Sequence, residues 1–408
     1  MKHLHRLLWI LAFFPWLDFI IRTNLPSVIG SIWDDIFLLL ILVTLWLYKR
    51  REPRYLSVPG SVKWPFLLFL FFCLSSVVVH IVPLPVSIDA IRVIFQPVLF
   101  ALITMYLLDD EETSARFMNF LLISTVLIAV FGIIQYVFKI DTGLWKHAKD
   151  TAQFRIVSIF SNPNALAAYF NMILAFTVAS VLLLKDKKQK LLYLLVSLVI
   201  FVALLLTFSR SAWIAFVIMV LYFVFVWNKK WLIAIPVFLA STPFILPQGM
   251  INRFAKLFDP TYYQMSSEYG RLAFWAAALE KIKENPLLGV GLGMFGDSVA
   301  LRHNIPFATW VDNHYLKLGA EIGVPGLICF MLLLFMLFRL AHRLYLTAKT
   351  DKQRIYALGV AGVIITMSIQ NVTASILEAL ADAIYFYALT GILFAFVFKA
   401  KKEGKCSP

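Results

Sequence analysis

The chain has 408 residues, of which 61% are hydrophobic and 15% are charged, and its mean hydropathy is +0.83. Soluble globular proteins are about half apolar and about a quarter charged, so this composition excludes that class. The formal net charge of +14 raises the question of a nucleic-acid partner, which the positions of the basic residues decide.

Long apolar stretches recur along the chain at about the 20 residues that a bilayer requires. Because they are continuous and do not alternate every second residue, they predict an all-α, polytopic integral membrane protein of about 12 transmembrane helices. The predicted spans are residues 7–21, 28–47, 64–82, 88–108, 117–138, 163–184, 190–208, 211–227, 231–247, 315–338, 356–372 and 384–398. The first is interpreted as a retained span, since it lacks a small-x-small cleavage site.

An even number of spans places both termini on one side, which is interpreted as cytoplasmic. Every connection assigned to that side carries at least one Lys or Arg, as in KDKKQK at 185–190. This distribution follows the positive-inside rule and explains the net charge through topology, so no nucleic-acid partner is expected. The three cysteines, Cys73, Cys329 and Cys406, have no metal-binding spacing and imply no disulfide framework.

Three regions follow from this topology. Residues 1–247 contain spans 1–9, residues 248–314 form a large extracytoplasmic loop, and residues 315–408 contain spans 10–12 with a basic tail. Long ordered loops tend to carry function. A shorter outer segment at about 139–162 contributes two possible supporting residues, Arg155 and Asn162.

An arginine stands at the outer turn between spans seven and eight, in TFSRSAW at 207–213. Arg210 has two interpretations. An arginine at a span end often extends to the lipid headgroups, whereas a guanidinium in a poorly hydrated site can bind phosphate bidentately.

The large outer loop contains an amphipathic helix predicted over Glu268–Glu284, with apolar residues at helical spacing and Asn285-Pro286 after it. That apolar set is Leu272, Trp275, Ala276, Leu279 and Ile282. Arg271 and Trp275 are one turn apart on one face, and the helix dipole near Arg271 favours an anion. An interfacial anchor helix with a solvated arginine is the alternative.

The glycines at 291–296 match G-x-G-x-x-G, but a dinucleotide fingerprint requires a preceding strand in a βαβ unit. The context, which is a helix and a proline, favours a tight turn.

His314 lies where the large loop re-enters the membrane, beside Asp312 and Asn313. A neutral imidazole can accept a proton near pH 7, and a nearby carboxylate can orient it. The alternative is a helix-start histidine bonded to a headgroup or a carbonyl. Gly323 and Gly326 would let this span pack closely against its neighbours.

Polar residues also occur inside spans two and four. Asp34-Asp35 are intramembrane carboxylates and thus candidates for function, but they lack a His or Cys partner, so no metal site is predicted. Arg92 and Gln96 form a polar stripe that would extend an anion cavity.

Three stretches together resemble the O-antigen ligase family, which includes related bacterial polysaccharide polymerases. They are TFSRSAW, then GRLAFWAAALEKIKENPLLGVGLGMF at 270–295, then NHYLKLGAEIGVPG at 313–326, in the order typical of the family. The resemblance covers roughly residues 155–330, and the flanking spans match only in number and hydropathy.

This resemblance implies a metal-independent glycosyltransferase without a cofactor, in the bacterial cytoplasmic membrane, with an extracytoplasmic active site. Its donor would be a glycan on a polyprenyl diphosphate, and its acceptor a hydroxyl of a glycan or glycolipid. Arg210 and Arg271 would hold the diphosphate and His314 would be the catalytic base. Where some relatives carry a histidine or aspartate after span eleven, this chain has Gln370-Asn371, and Asp382 farther on.

Two other classes remain open from the residues alone. A transporter or flippase of lipid-linked or anionic glycans would also have about twelve spans, although the halves show no matching broken helices. A non-enzymatic scaffold in a cell-envelope complex would explain the spans but not the arginines and the histidine. Within the enzyme class, both a ligase and a polymerase fit.

Overall fold

The computed structural model describes residues 8–51, 57–108, 110–145, 154–233 and 248–402. Of the described residues, 81% are helical and none belongs to a strand, which confirms the predicted all-α class. The α-helices, in chain order, are α1 (Phe14–Asn24), α2 (Ser27–Arg51), α3 (Gly60–Val79), α4 (Leu84–Leu107), α5 (Glu111–Phe138), α6 (Pro163–Leu183), α7 (Lys187–Leu206), α8 (Arg210–Trp227), α9 (Gln248–Ala255), α10 (Pro260–Tyr269), α11 (Arg271–Glu284), α12 (Asp297–Arg302), α13 (His314–Thr347), α14 (Asp351–Gln370) and α15 (Leu380–Lys402).

Within the described residues, nine helices are long and apolar enough to cross a membrane, namely α2 to α8, α13 and α15. They correspond to nine of the twelve predicted spans. The predicted first span is interrupted by a turn at Phe13, and the eleventh forms α14, which is not among the nine. The ninth lies almost entirely outside the described residues, so the number twelve stays a prediction, as do the three predicted regions.

The central helices of the bundle are α6 and α15, because 78% and 83% of their apolar stretches are buried, against 22% for α7. Small side chains permit close packing between apolar helices. Gly391 of α15 shows this, since a Cβ there would lie 2.2 Å from the Ala101 carbonyl oxygen of α4. Around this centre, α14 packs against α6, α8 and α13, and α13 packs against α3.

Polar contacts join connections that are predicted to share one side of the membrane. On the predicted outer side, Arg302 binds Asp89 at 2.6 Å. On the predicted inner side, Thr350 and Gln353 both donate to Glu111, at 3.0 and 2.8 Å. Each of these contacts therefore joins two connections that are predicted to lie on the same side.

The helix predicted over Glu268–Glu284 is divided at Gly270, where α10 ends and α11 begins with Arg271. Its predicted apolar face is partly wrong. Ala276 and Leu279 are exposed, because α11 turns a narrower face toward the start of α13. That face consists of Trp275, Ala278 and Ile282, which pack with Val311, Leu316 and Ala320.

The glycine-rich segment after α11 is a turn that docks on α13. The Val290 and Gly291 amides donate to the Ala320 and Glu321 carbonyls at 2.8 and 3.1 Å. Opposite them, α13 is kinked at Gly323, whose φ of +77° suits glycine and whose Cβ would lie 2.3 Å from the Leu287 carbonyl oxygen. No strand precedes the turn in the described part of the loop, in agreement with the tight-turn interpretation.

Candidate active site

Four arginines from separate parts of the chain line one cavity of about 420 Å³, which we call the arginine cavity. Arg155 precedes α6, Arg210 begins α8, Arg253 lies in α9 and Arg271 begins α11. The other residues of the wall are Asn164, Phe208, Ser209, Ser211, Ile214, Tyr262, Tyr263, Ser266, Leu272, Trp275, Ile369, Val372 and Thr373. The fold thus brings together the two arginines predicted to bind phosphate with Arg155, a predicted supporting residue, and with Arg253, which was not predicted.

Backbone carbonyls and neutral side chains hold two of these guanidinium groups in place. Arg155 donates from Nε to the Thr207 carbonyl at 2.8 Å and from a terminal nitrogen to Asn164 Oδ1 at 3.1 Å. Arg210 donates to the Arg253 carbonyl at 3.1 Å and to the Tyr262 hydroxyl at 3.2 Å. These partners orient the guanidinium groups without neutralising their charge.

Only one of the four arginines has a carboxylate partner among the described residues. Arg271 donates from Nε to Asp312 Oδ2 at 2.8 Å. Arg253 donates to the Phe208 carbonyl at 2.9 Å, and its buried Nε has no hydrogen-bond partner in the described structure. The wall of the cavity therefore carries an excess of positive charge.

The ionisation of the arginines reflects this excess. Burial, followed by repulsion from the other three arginines, lowers the pKa of Arg155 to about 9. The pKa of Arg253 is also lowered, first by burial and then by Arg210. An anion that entered the cavity would relieve this repulsion and favour the charged guanidinium forms.

Two helix N-termini add to the positive potential of the cavity. Arg210 and Arg271 are the first residues of α8 and α11. The N-cap residue of α8, Ser209, makes no side-chain capping hydrogen bond, and that of α11, Gly270, has no side chain to make one. A cation at a helix N-terminus is unfavourable, whereas an anion there is stabilised by the dipole and the backbone amides. The arrangement is suited to a phosphate-bearing ligand.

His314, the predicted base, is the first residue of α13 and is 5% exposed. Its backbone N–H donates to the Asn371 carbonyl at 2.9 Å, and its ring meets Phe330 edge to face at 5.4 Å between centroids. Its Nδ1 has no hydrogen-bond partner in the described structure. His314 is not part of the cavity wall, but Val372 and Thr373, which follow its partner Asn371, are.

A buried network of charges lies one turn along α13 from His314, and we call it the Lys317 network. Lys317 binds Glu378, and its Nζ is 3.3 Å from Glu321. Glu378 also accepts from the Ser298 amide at 3.0 Å, and Asp297 accepts from the Val311 amide at 2.7 Å and from Ser375. All four charged side chains are buried.

The two carboxylates of this network that lie outside the spans differ in ionisation. Burial, and then the nearby Glu378, raises the pKa of Asp297 to about 7. Burial alone would raise the pKa of Glu378 too, but the Lys317 ammonium lowers it below its usual range. The network ties the outer loop at Asp297 to the segment after α14.

The remaining predicted residues take different positions. Trp275 lies in the cavity wall, and its indole donates to the Val311 carbonyl at 3.0 Å. Asn162 and Asn313 cap helices, since their Oδ1 atoms accept from the Ala165 amide at 2.8 Å and the Leu316 amide at 3.0 Å. Asp382 is fully buried, and neither of its carboxylate oxygens has a hydrogen-bond partner in the described structure.

The polar stripe of span four lies outside the arginine cavity. Arg92 is paired with Asp34 at 2.9 Å and with Asp35 at 2.8 Å. Gln96 donates to the same two carboxylates at 3.2 and 3.0 Å. The charge of Arg92 is thus compensated, and this group lines a second cavity.

The sequence interpretation missed Arg253 and the Lys317 network. Arg253 stands in a loop of balanced charge and has no local pattern that distinguishes it from Lys256. Lys317 and Glu321 did carry a signal, because charged residues four apart within an apolar span are expected to pair and are functional candidates.

Comparison with known proteins supports the same region. Residues 195–331 match the model of a family described as O-antigen ligase. The matched segment contains Arg210, Arg253, Arg271 and His314, whereas Arg155 precedes it. No curated protein matches the chain. Residues 195–331 are thus similar to the O-antigen ligase family, and the match together with the apolar helices supports a multi-pass membrane protein of the ligase- or polymerase-like glycosyltransferase type.

Proposed function

We propose that the protein transfers a glycan from a polyprenyl-diphosphate carrier to a hydroxyl group of a glycan or glycolipid. The reaction takes place on the outer face of the bacterial cytoplasmic membrane and requires neither a metal nor a cofactor. The observation that carries the proposal is the arginine cavity, whose four guanidinium groups have one carboxylate partner, Asp312, among the described residues. This proposal includes both ligases and polymerases.

The arginines stabilise the leaving group. When the bond between the anomeric carbon and the diphosphate oxygen breaks, its electron pair remains on the diphosphate and adds a negative charge. Prepositioned donors around that charge lower the barrier, since they do not have to reorganise during the reaction. Arg155 and Arg210 are already held by neutral groups, which supports this role.

His314 is the general base in this proposal. It removes the proton of the acceptor hydroxyl as the hydroxyl oxygen bonds to the anomeric carbon. Its Nδ1 without a hydrogen-bond partner, and its attachment to the segment that lines the arginine cavity, support this assignment. A single displacement inverts the anomeric configuration, so an unchanged configuration in the product would exclude it.

The proposal is tested with purified protein in detergent, a polyprenyl-diphosphate oligosaccharide and a chelator. Release of polyprenyl diphosphate and transfer of the glycan are followed for the wild type, Arg210→Ala, Arg271→Ala and His314→Ala. Lys281→Ala is the matched control, because Lys281 is an exposed cation of α11 that pairs with Glu284 outside the cavity.

We expect turnover by the wild type and the control, and its loss in the three folded variants. Full activity of His314→Ala would exclude it as the base. A wild-type protein that moves the donor across a vesicle membrane without cleaving it would instead be a transporter.

A further inference from the structure

A second polar cavity, of about 440 Å³, lies between α1, α2, α4, α12 and the segment before α15, and we call it the mixed-charge cavity. Its ionisable side chains are Arg22, Arg92, Arg302, His303, Asp34, Asp89 and Glu378. Ser31 and Gln96 add neutral polar groups. The proposed transfer chemistry at the arginine cavity does not involve these residues.

Ion pairs balance the charges of the mixed-charge cavity. Arg92 lies 2.9 Å from Asp34, and Arg302 lies 2.6 Å from Asp89. His303 Nε2 is 3.2 Å from Asp89 as well. The arginine cavity, by contrast, has four cations and no carboxylate among the described residues of its wall. The two cavities are therefore built for ligands of different charge.

A wall of paired carboxylates and guanidinium groups suits a neutral ligand rich in hydroxyl groups. A carboxylate accepts about four hydrogen bonds and a guanidinium donates about five, so the pairs retain free sites. Asp34 is 2% exposed and its Oδ1 accepts no hydrogen bond in the described structure. Sugar hydroxyls both donate and accept, and can satisfy both kinds of site.

One short segment connects the two cavities. Val372 and Thr373 line the arginine cavity, and Glu378 lines the mixed-charge cavity. Asn371 organises this segment, since its Oδ1 accepts from the Ile376 amide at 3.0 Å and its carbonyl accepts from the His314 amide at 2.9 Å. The backbone attachment of the proposed base thus belongs to the segment that reaches both sites.

We infer that the mixed-charge cavity binds neutral sugar residues of the acceptor glycan, while the arginine cavity binds the donor diphosphate. The assignment to the acceptor rests on the proposed function, but the binding of sugar does not. Arg302 and Asp89 are the residues of the cavity best suited to a test, because Arg302 is half exposed and can be replaced without opening the core.

The experiment measures two affinities by calorimetry on the full chain in lipid nanodiscs. One probe is inorganic pyrophosphate. The other is the neutral oligosaccharide released by mild acid from the organism's lipid-linked glycan and, separately, from its surface glycolipids, so that both kinds of acceptor glycan are tested. The variants are Arg302→Gln, Asp89→Asn and, as the reciprocal control, Arg271→Ala. Loss of one charged hydrogen bond corresponds to about tenfold in Kd or more.

We expect Arg302→Gln and Asp89→Asn to weaken oligosaccharide binding about tenfold and to leave pyrophosphate binding unchanged. Arg271→Ala should show the reverse. The inference is overturned if the wild type does not bind the oligosaccharide at millimolar concentration, or if its Kd is unchanged in both cavity variants.

A kinetic measurement then separates this inference from the proposed function. If the wild type transfers glycan, Arg302→Gln should raise KM for the acceptor and leave KM for the donor unchanged. An unchanged acceptor KM overturns the acceptor role. If the wild type does not cleave the donor, the proposed function fails, and the binding data alone decide whether the cavity is a sugar site.

Discussion

Removal of the Lys317 ammonium gives a sharp test of the buried charge network. Lys317 is 3% exposed, and three buried carboxylates, Glu321, Glu378 and Asp297, depend on its charge. Breaking a buried pair by removing one partner costs about 3–5 kcal/mol, because the other partner stays buried without compensation. Since native stability is commonly about 5–15 kcal/mol, Lys317→Met should lose a large part of it at pH 8.

The loss should depend on pH. At pH 5.5 more of the carboxylates carry a proton, so less uncompensated charge remains and the difference from the wild type shrinks. Thermal unfolding in detergent at the two pH values measures this, with Lys188→Met as a control at an exposed lysine. A second change, Glu378→Gln, should recover part of the stability of Lys317→Met. Equal stability of Lys317→Met and wild type at pH 8, or an equal loss at both pH values, would refute the reasoning.

Three further outcomes follow from single residues. Arg253→Gln should lower the rate of glycan transfer about tenfold or more, as expected for the loss of one charged hydrogen bond to the diphosphate. Lys281→Gln in the same loop should leave that rate unchanged, and turnover assays compare the two variants. Gly323→Ala should lower the melting temperature and destabilise the protein by at least about 1 kcal/mol, because φ is +77° and the added Cβ would lie too close to the Leu287 carbonyl. Gly60→Ala is the control and should leave the melting temperature unchanged, since no described atom lies within 4 Å of its added Cβ. Asp297 keeps its proton up to about pH 7 in the native state, so the wild type should lose stability as pH rises from about 4 to 7, and Asp297→Asn should flatten that decline in pH-dependent unfolding curves.

The spans and the lining of the arginine cavity differ in how far local sequence determines them. Nine of the spans can be predicted from the sequence, because a run of about 20 consecutive apolar residues is typical of a membrane-spanning helix. Arg210 and Arg271 can be identified as candidate anion-binding residues, because each lies at a predicted helix start beside a turn. Arg253 cannot, since its place in the cavity depends on α9 packing against Phe208, which is 45 residues away in the chain.

The position of Arg92 shows a second limit of local sequence. Its polar stripe with Gln96 predicted an extension of the anion cavity, and nothing in span four alone reveals that Asp34 and Asp35 compensate the charge. In the chain, Arg92 is separated from Asp35 by 57 positions and from Asp34 by 58, and the pairing joins two helices. Charge compensation depends on tertiary packing, so the sign of the net charge that lines a cavity cannot be predicted from the sequence of one helix.

Compensation also separates charges that hold the fold from those that await a ligand. Lys317 is buried, but carboxylates surround it, so it needs nothing further. The guanidinium groups of Arg155, Arg210 and Arg253 are oriented by carbonyl oxygens and neutral side chains, and their mutual repulsion remains. Cations held together beside two helix N-termini destabilise the folded chain, and the binding of an anion with several oxygens relieves that repulsion. The diphosphate of the proposed donor would be such an anion, and the breaking of its glycosyl bond would increase the negative charge that the arginines face.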